Sequence, residues 1–216
     1  MTTEENPGKS DTTLLVLVVD RSGSMETIRE DMEGGIKTVL AEQANEPGRC
    51  LVTLVQFDTE YEILFDCVPV AELGDHRLVP RGSTALLDAM GRTISTVRAR
   101  LEGLPREERP GNVIVAVVTD GLENSSREWT RDAVMAAVKD RIDAGWQFTF
   151  IGANQDAIDE GERLGVNPDA SMNFTASPAA SRAAMGSLSA SVGRMRRGEA
   201  AGLTYTDEER RRAAGD

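Results

Sequence analysis

The sequence predicts an α/β protein: a mainly parallel central sheet with one antiparallel edge hairpin and helices on both faces. Three observations carry this prediction. First, two unbroken apolar runs, Leu14–Val19 and Val113–Val118, each lead into an acid, Asp20 and Asp120. Continuous Val- and Leu-rich runs read as strands buried on both faces, the signature of a parallel sheet. Second, segments with apolar residues at helical spacing alternate with these runs. Third, the strand-like runs Cys50–Phe57 and Glu60–Val68 are separated by a gap too short for a crossover, so they must form an antiparallel hairpin.

In chain order, residues 1–12 are polar and are expected to be disordered. The first central strand follows at Thr13–Val19. From Met25 to Gln43 the residues Ile28, Met32, Ile36, Val39 and Leu40 recur at helical spacing. Gly34-Gly35 weakens that helix, and Pro47-Gly48 stops the chain beyond it. After the hairpin, residues 69–80 are irregular with a short helical turn. Thr84 opens a helix to Leu101 whose inner face is Leu87, Met90, Ile94, Val97 and Leu101. On this segment Ser83 or Thr84 is an N-cap candidate, and Asp88 is either a hydrogen-bond acceptor behind the site or a solvated helix acid, the second reading being preferred. A strand at Asn112–Thr119 precedes the loop 120–126, whose Glu123 and Asn124 either line the rim of a site or cap the next helix and settle the loop backbone. That helix, Trp129–Ala144, turns Val134, Ala137, Val138 and Ile142 inward, with Trp129 packing at its start. Then come a strand at Trp146–Ile151, a loop at 152–155, a short helix Asp156–Leu164 and a short strand Ser171–Thr175. Ser177–Arg197 is a closing helix with Met185, Leu188, Val192 and Met195 on one face. The domain is thus expected over 13–197. Residues 198–216 are charged and lack an apolar repeat, so a mobile tail is expected.

Composition bounds the function. The 216 residues carry a formal net charge of −12, which disfavours a direct nucleic-acid partner. No apolar run is long enough to span a bilayer and the first residues lack a signal-peptide core, so membrane association is not expected and a cytoplasmic location is. Cytosolic chemistry favours free thiols at Cys50 and Cys67 over a bridge. A single histidine, His76, argues against imidazole-based metal binding or a histidine base.

The chemistry concentrates in three stretches. Asp20-Arg21-Ser22-Gly23-Ser24 follows the first strand, and Gly23 permits a tight turn. Arg81-Gly82-Ser83-Thr84 precedes a helix. Asp120-Gly121 follows the Asn112–Thr119 strand. Asp20 and Asp120 stand at carboxyl ends of strands, where open α/β sheets bind ligands. The candidate ligands Asp20, Ser22, Ser24, Thr84 and Asp120 all offer oxygen, the donor set of Mg²⁺, Mn²⁺ or Ca²⁺.

Together these stretches resemble the von Willebrand factor type A (vWA) family. They match every position of its metal-ion-dependent adhesion site, over a likeness covering roughly residues 12–175. The resemblance implies a three-layer, Rossmann-like fold. It implies that the three hydroxyls contact the metal while the acids often act through water. It further implies a non-enzymatic protein-binding module whose partner supplies an acidic residue to the open metal position. Some stand-alone bacterial members work beside AAA+ ATPases or in stress systems.

Two other readings use the same residues. One is Mg²⁺-dependent phosphoryl transfer with Asp20 as phosphoacceptor. Against it, hydroxyls fill the surrounding positions and no Walker-type glycine loop is present. The other is a closed structural metal site that binds no partner.

Overall fold

β1 (Thr13–Asp20) is buried along its whole length and forms the spine of the sheet. The computed structural model of the chain describes residues 10–153 and 156–215. Most of the segment expected to be disordered, residues 1–9, lies outside them, as do Asn154 and Gln155 of the loop expected at 152–155. The remaining strands are β2 (Cys50–Phe57), β3 (Tyr61–Pro69), β4 (Asn112–Thr119), β5 (Gln147–Ala153) and β6 (Ser171–Phe174). They hydrogen-bond in the order β3-β2-β1-β4-β5-β6. Every pairing is parallel except β2 with β3, so the short-gap hairpin forms the antiparallel edge. The thiols of Cys50 and Cys67 are free.

The helices are α1 (Arg29–Asn45), α2 (Leu86–Glu102), α3 (Arg131–Asp143), α4 (Ala157–Arg163), α5 (Pro178–Arg196) and α6 (Asp207–Ala214). α1 packs with α5 and α2 with α3, and these pairs flank the sheet as a three-layer α/β fold. The first predicted helix is a composite: a 3₁₀ segment, Gly23–Ile28, runs into α1. Gly35, which weakens α1 in isolation, serves its packing: a Cβ there would lie 2.6 Å from the Met185 side chain of α5. Gly91 of α2 does the same for Trp129, whose ring would stand 2.0 Å from an added Cβ. The predicted apolar faces of α1, α2 and α5 are buried.

Four expectations are corrected. Ile142 is 38% exposed rather than inward, because α3 buries only Val134 and Val138. Neither Ser83 nor Thr84 caps α2, which begins at Leu86 with no side-chain cap bond. Its first amides are met from the loop after β4: Glu123 accepts from Leu87 N–H at 2.9 Å and Ser126 Oγ from Asp88 N–H at 3.0 Å. Asp88 is no solvated acid. Its carboxylate accepts the backbone N–H groups of Arg127, Glu128 and Trp129 at 2.8–2.9 Å. Burial would raise its pKa, yet these amides outweigh it and hold the carboxyl below the usual value.

The fourth correction is the C-terminal segment. Residues 198–215 are built into the fold rather than trailing from it. Leu203, Tyr205 and Ala213 are buried, and Tyr205 shares a 2.7 Å hydroxyl hydrogen bond with Thr149 of β5. α6 opens on a capping box, Thr206 with Glu209, the reciprocal arrangement that satisfies two helix-end donors. It then packs at the outer edge of the sheet beside β6. Thr175 N–H donates to Ala213 O at 2.9 Å. The Arg210 guanidinium donates to the carbonyls of Ser171, Pro168 and Asp169.

Candidate metal centre

The sheet's order reverses between β1 and β4: from β1 the chain moves to β2 on one side and later returns to β4 on the other. Crevices at such switch points, outside the carboxyl ends, are where open α/β sheets bind ligands. The register sets Val19 opposite Val118, so Asp20 emerges beside Thr119 and one residue short of Asp120.

Asp20 is fully buried at the floor of the crevice. One carboxylate oxygen, Oδ2, accepts from Thr119 Oγ1 at 2.6 Å, and Oδ1 accepts from Ser22 N–H at 2.6 Å. That second contact winds the loop back on itself. Ser22 Oγ and Ser24 Oγ are then 3.1 Å apart, and Ser24 Oγ donates to Asp120 Oδ1 at 2.6 Å. Thr84 arrives from the other loop. A Cβ added to Gly121 would meet Thr84 Oγ1 at 3.2 Å and Ser24 Oγ at 3.7 Å, so both hydroxyls stand over one glycine. Thr84 is held from its backbone: its N–H donates to Asn124 Oδ1 and its carbonyl accepts from Asn124 N–H. All five predicted site residues are therefore brought to one place. Asp20, Ser22, Thr84 and Asp120 are buried while Ser24 is exposed, which opens the cluster on one side.

The electrostatics of the cluster are those of an unbalanced negative site. Burial raises the Asp20 carboxyl to about 6. Hydrogen bonds from Thr119 and Ser22 oppose that rise, and the neighbouring Asp120 adds to it. Burial also raises Asp120, against its hydrogen bond from Ser24. Among the described residues no Lys or Arg forms an ion pair with either acid, and the adjacent Arg21 is committed to Asp58 at 2.9 Å. Two buried carboxylates, three hydroxyls and no protein cation fit a hard divalent ion, which takes oxygen ligands.

Residues to which sequence reasoning gave no role at the site are Thr119, which orients Asp20, and Arg21, Asp58 and Arg81, which tie the loops together. Arg21 and Arg81 are the cations within the two hydroxyl-bearing loops, and that was the available signal. Glu123 settles the backbone of its loop, accepting from the N–H groups of Ser125 and Ser126, whereas Asn124 bonds the backbone of Thr84 in the other loop, and the next helix is capped by Thr130 instead.

No protein-family model and no curated protein sequence matches this chain. Solved structures do. A pilus adhesin, SpaC from Lactobacillus rhamnosus GG, superposes with a TM-score of 0.64 at 15% identity, over 85% of this chain and 31% of that one. Proximal thread matrix protein 1 from the mussel byssus, with a zinc-occupied MIDAS motif, gives 0.55 at 18% identity, over 79% and 43%. A von Willebrand factor type A structure from Catenulispora acidiphila gives 0.53 at 16% identity, over 83% and 42%. The fold is that of a vWA domain. The likeness is one of fold, and this chain spans less than half the length of each of these three proteins. Within the vWA fold, the crevice at the ends of β1 and β4 carries the oxygen cluster. Among the described residues no helix is long and apolar enough to cross a membrane.

Proposed function

We propose that this chain is a divalent-cation-dependent protein-binding module rather than an enzyme. In this reading Asp20, Ser22, Ser24, Thr84 and Asp120 hold Mg²⁺, with Mn²⁺ or Ca²⁺ as alternatives. The observation that carries it is the convergence of three distant loops on one oxygen cluster, summarised by the Ser24–Asp120 hydrogen bond across 96 residues. Bound there, the cation supplies an electrophilic centre able to accept a carboxylate from another protein. Asp20 organises the floor and contributes charge. Ser22, Ser24 and Thr84 contribute neutral oxygens, and Asp120 supplies the second charge. Exposure of Ser24 favours this reading over a closed structural site, because it leaves an approach for a partner's acidic residue.

Among the named neighbours are a pilus adhesin and a thread matrix protein, one with zinc in its MIDAS motif, which supports an interaction role. A cytoplasmic setting, beside an AAA+ ATPase or in a bacterial stress system, extends the proposal on the family resemblance. Calorimetric titration of Mg²⁺ and Mn²⁺ into the chain and into Ser22→Ala/Ser24→Ala tests the site. Binding by the parent and loss in the variant, at equal melting temperature, is expected. Equal affinity in both overturns it. A pull-down with and without chelator then identifies the partner.

A further inference from the structure

We propose that Asp58 is a positioning residue for the cation site, clamping its first two loops through Arg21 and Arg81. This rests on the cation-binding reading above. Asp58 follows β2 directly and contributes nothing to the oxygen cluster. Its Oδ2 accepts from Arg21 Nε at 2.9 Å and from Arg81 Nε at 2.8 Å. Its Oδ1 accepts from Glu60 N–H at 2.6 Å. Arg21 lies between Asp20 and Ser22, and Arg81 lies three residues before Thr84, so one carboxylate grips both hydroxyl-bearing loops.

The backbones meet at the same point. Arg81 N–H donates to Arg21 O at 2.8 Å, Gly23 N–H to Gly82 O at 3.3 Å, and Ala85 N–H to Asp58 O at 3.0 Å. The Asp58 and Arg21 side chains are only 1% and 6% exposed, whereas that of Arg81 is 51% exposed. Two guanidinium groups this close repel unless an anion stands between them. Burial would raise the Asp58 carboxyl, but its bonds from Arg81, Glu60 N–H and Arg21 outweigh it and hold it below the usual carboxylate value. The Arg21 charge is turned towards Asp58 and, through Nη1, towards Glu62, although Arg21 is the chain neighbour of Asp20. A free guanidinium there would compete with a divalent cation.

The test is Mn²⁺ titration calorimetry, with amide hydrogen exchange on the cation-free chain, for the parent, Arg81→Gln and Asp58→Asn. Arg98→Gln, which removes an exposed helical pair with Glu102, is the control. Arg81→Gln is expected to weaken Mn²⁺ about tenfold, the lower end of what support residues around a metal give. It should leave the melting temperature unchanged while speeding exchange at the backbone amides of Gly23 and of position 81. Asp58→Asn should cost more, and if it fails to fold, Arg81→Gln carries the test, because its half-exposed side chain leaves the Arg21–Asp58 pair intact. If the parent binds Mn²⁺ and Arg81→Gln keeps parental affinity and protection, the clamp is overturned and the cation site stands. If the parent binds no Mn²⁺, both proposals fall.

Discussion

Thr119 Oγ1 donates to Asp20 Oδ2 at 2.6 Å, so a residue of β4 fixes the carboxylate at the end of β1. With Oδ1 taken by Ser22 N–H, Asp20 is oriented from both sides. Thr119→Val removes that donor at constant shape. It should weaken Mg²⁺ binding roughly tenfold, as loss of a ligand's hydrogen-bond partner generally does. Calorimetry on a folded variant checks this.

The buried Asp20 also sets a pH dependence. Its carboxyl is raised from 3.8 to about 6 in the fold, so the ionised form destabilises the cation-free protein. The sign follows from linkage: the penalty is fully present above about pH 6 and is relieved as pH falls towards 4. At 1.36 kcal/mol per unit it amounts to roughly 3 kcal/mol. In chelator, Asp20→Asn should therefore melt higher than the parent at pH 7, and the gap should close near pH 4. Cation affinity of the parent should fall through the same window as protons compete. A melting curve of Asp20→Asn below that of the parent at pH 7 would contradict this account.

Gly121 is the floor tile beneath two hydroxyls. Its backbone tolerates a side chain, since it is absent from the positive-φ positions. A methyl would nevertheless press on Thr84 Oγ1 at 3.2 Å. Gly121→Ala should keep the melting temperature near that of the parent and lower Mg²⁺ affinity. Parental affinity would show that Thr84 is not held in register with Ser24.

Gly91 is the opposite case, a glycine demanded by packing. An alanine there drives its methyl into the Trp129 ring, and overpacking of this kind costs about 1–3 kcal/mol. Urea denaturation followed by tryptophan fluorescence should show the loss, with cation affinity altered little.

The C-terminal segment yields the last prediction. Tyr205→Phe loses the buried hydrogen bond to Thr149 and leaves that hydroxyl without its partner, at a cost of about 1–3 kcal/mol. Were residues 198–215 an unattached tail, this substitution would be silent in thermal denaturation.

Much of this architecture was legible because its signals are local. The runs ending at Asp20 and Asp120 declare two central strands and bring both acids to one crevice. The helical spacing of Met185, Leu188, Val192 and Met195 declares a buried face. What escaped depends on partners far along the chain. Nothing near Thr84 indicates that α2 takes its cap from Glu123 and Ser126, so a neighbouring hydroxyl was the natural candidate. Asp88 looks solvated until residues 127–129 fold onto it. α6 hid behind its charge: Leu203, Tyr205 and Ala213 are too sparse to form a periodic stripe. Even so, Thr206-Asp207-Glu208-Glu209 carried a readable helix start.

The packing of α6 against β6 has a consequence for how copies of this molecule can meet. A bare strand margin offers unpaired carbonyls and amides that another chain can adopt as its own ladder. Here Thr175 N–H and the Ser171 carbonyl are already spoken for by α6, through Ala213 O and the Arg210 guanidinium. On that flank α6 takes the groups at both ends of the short strand, so another chain would find only Asn173 between them on which to begin a ladder.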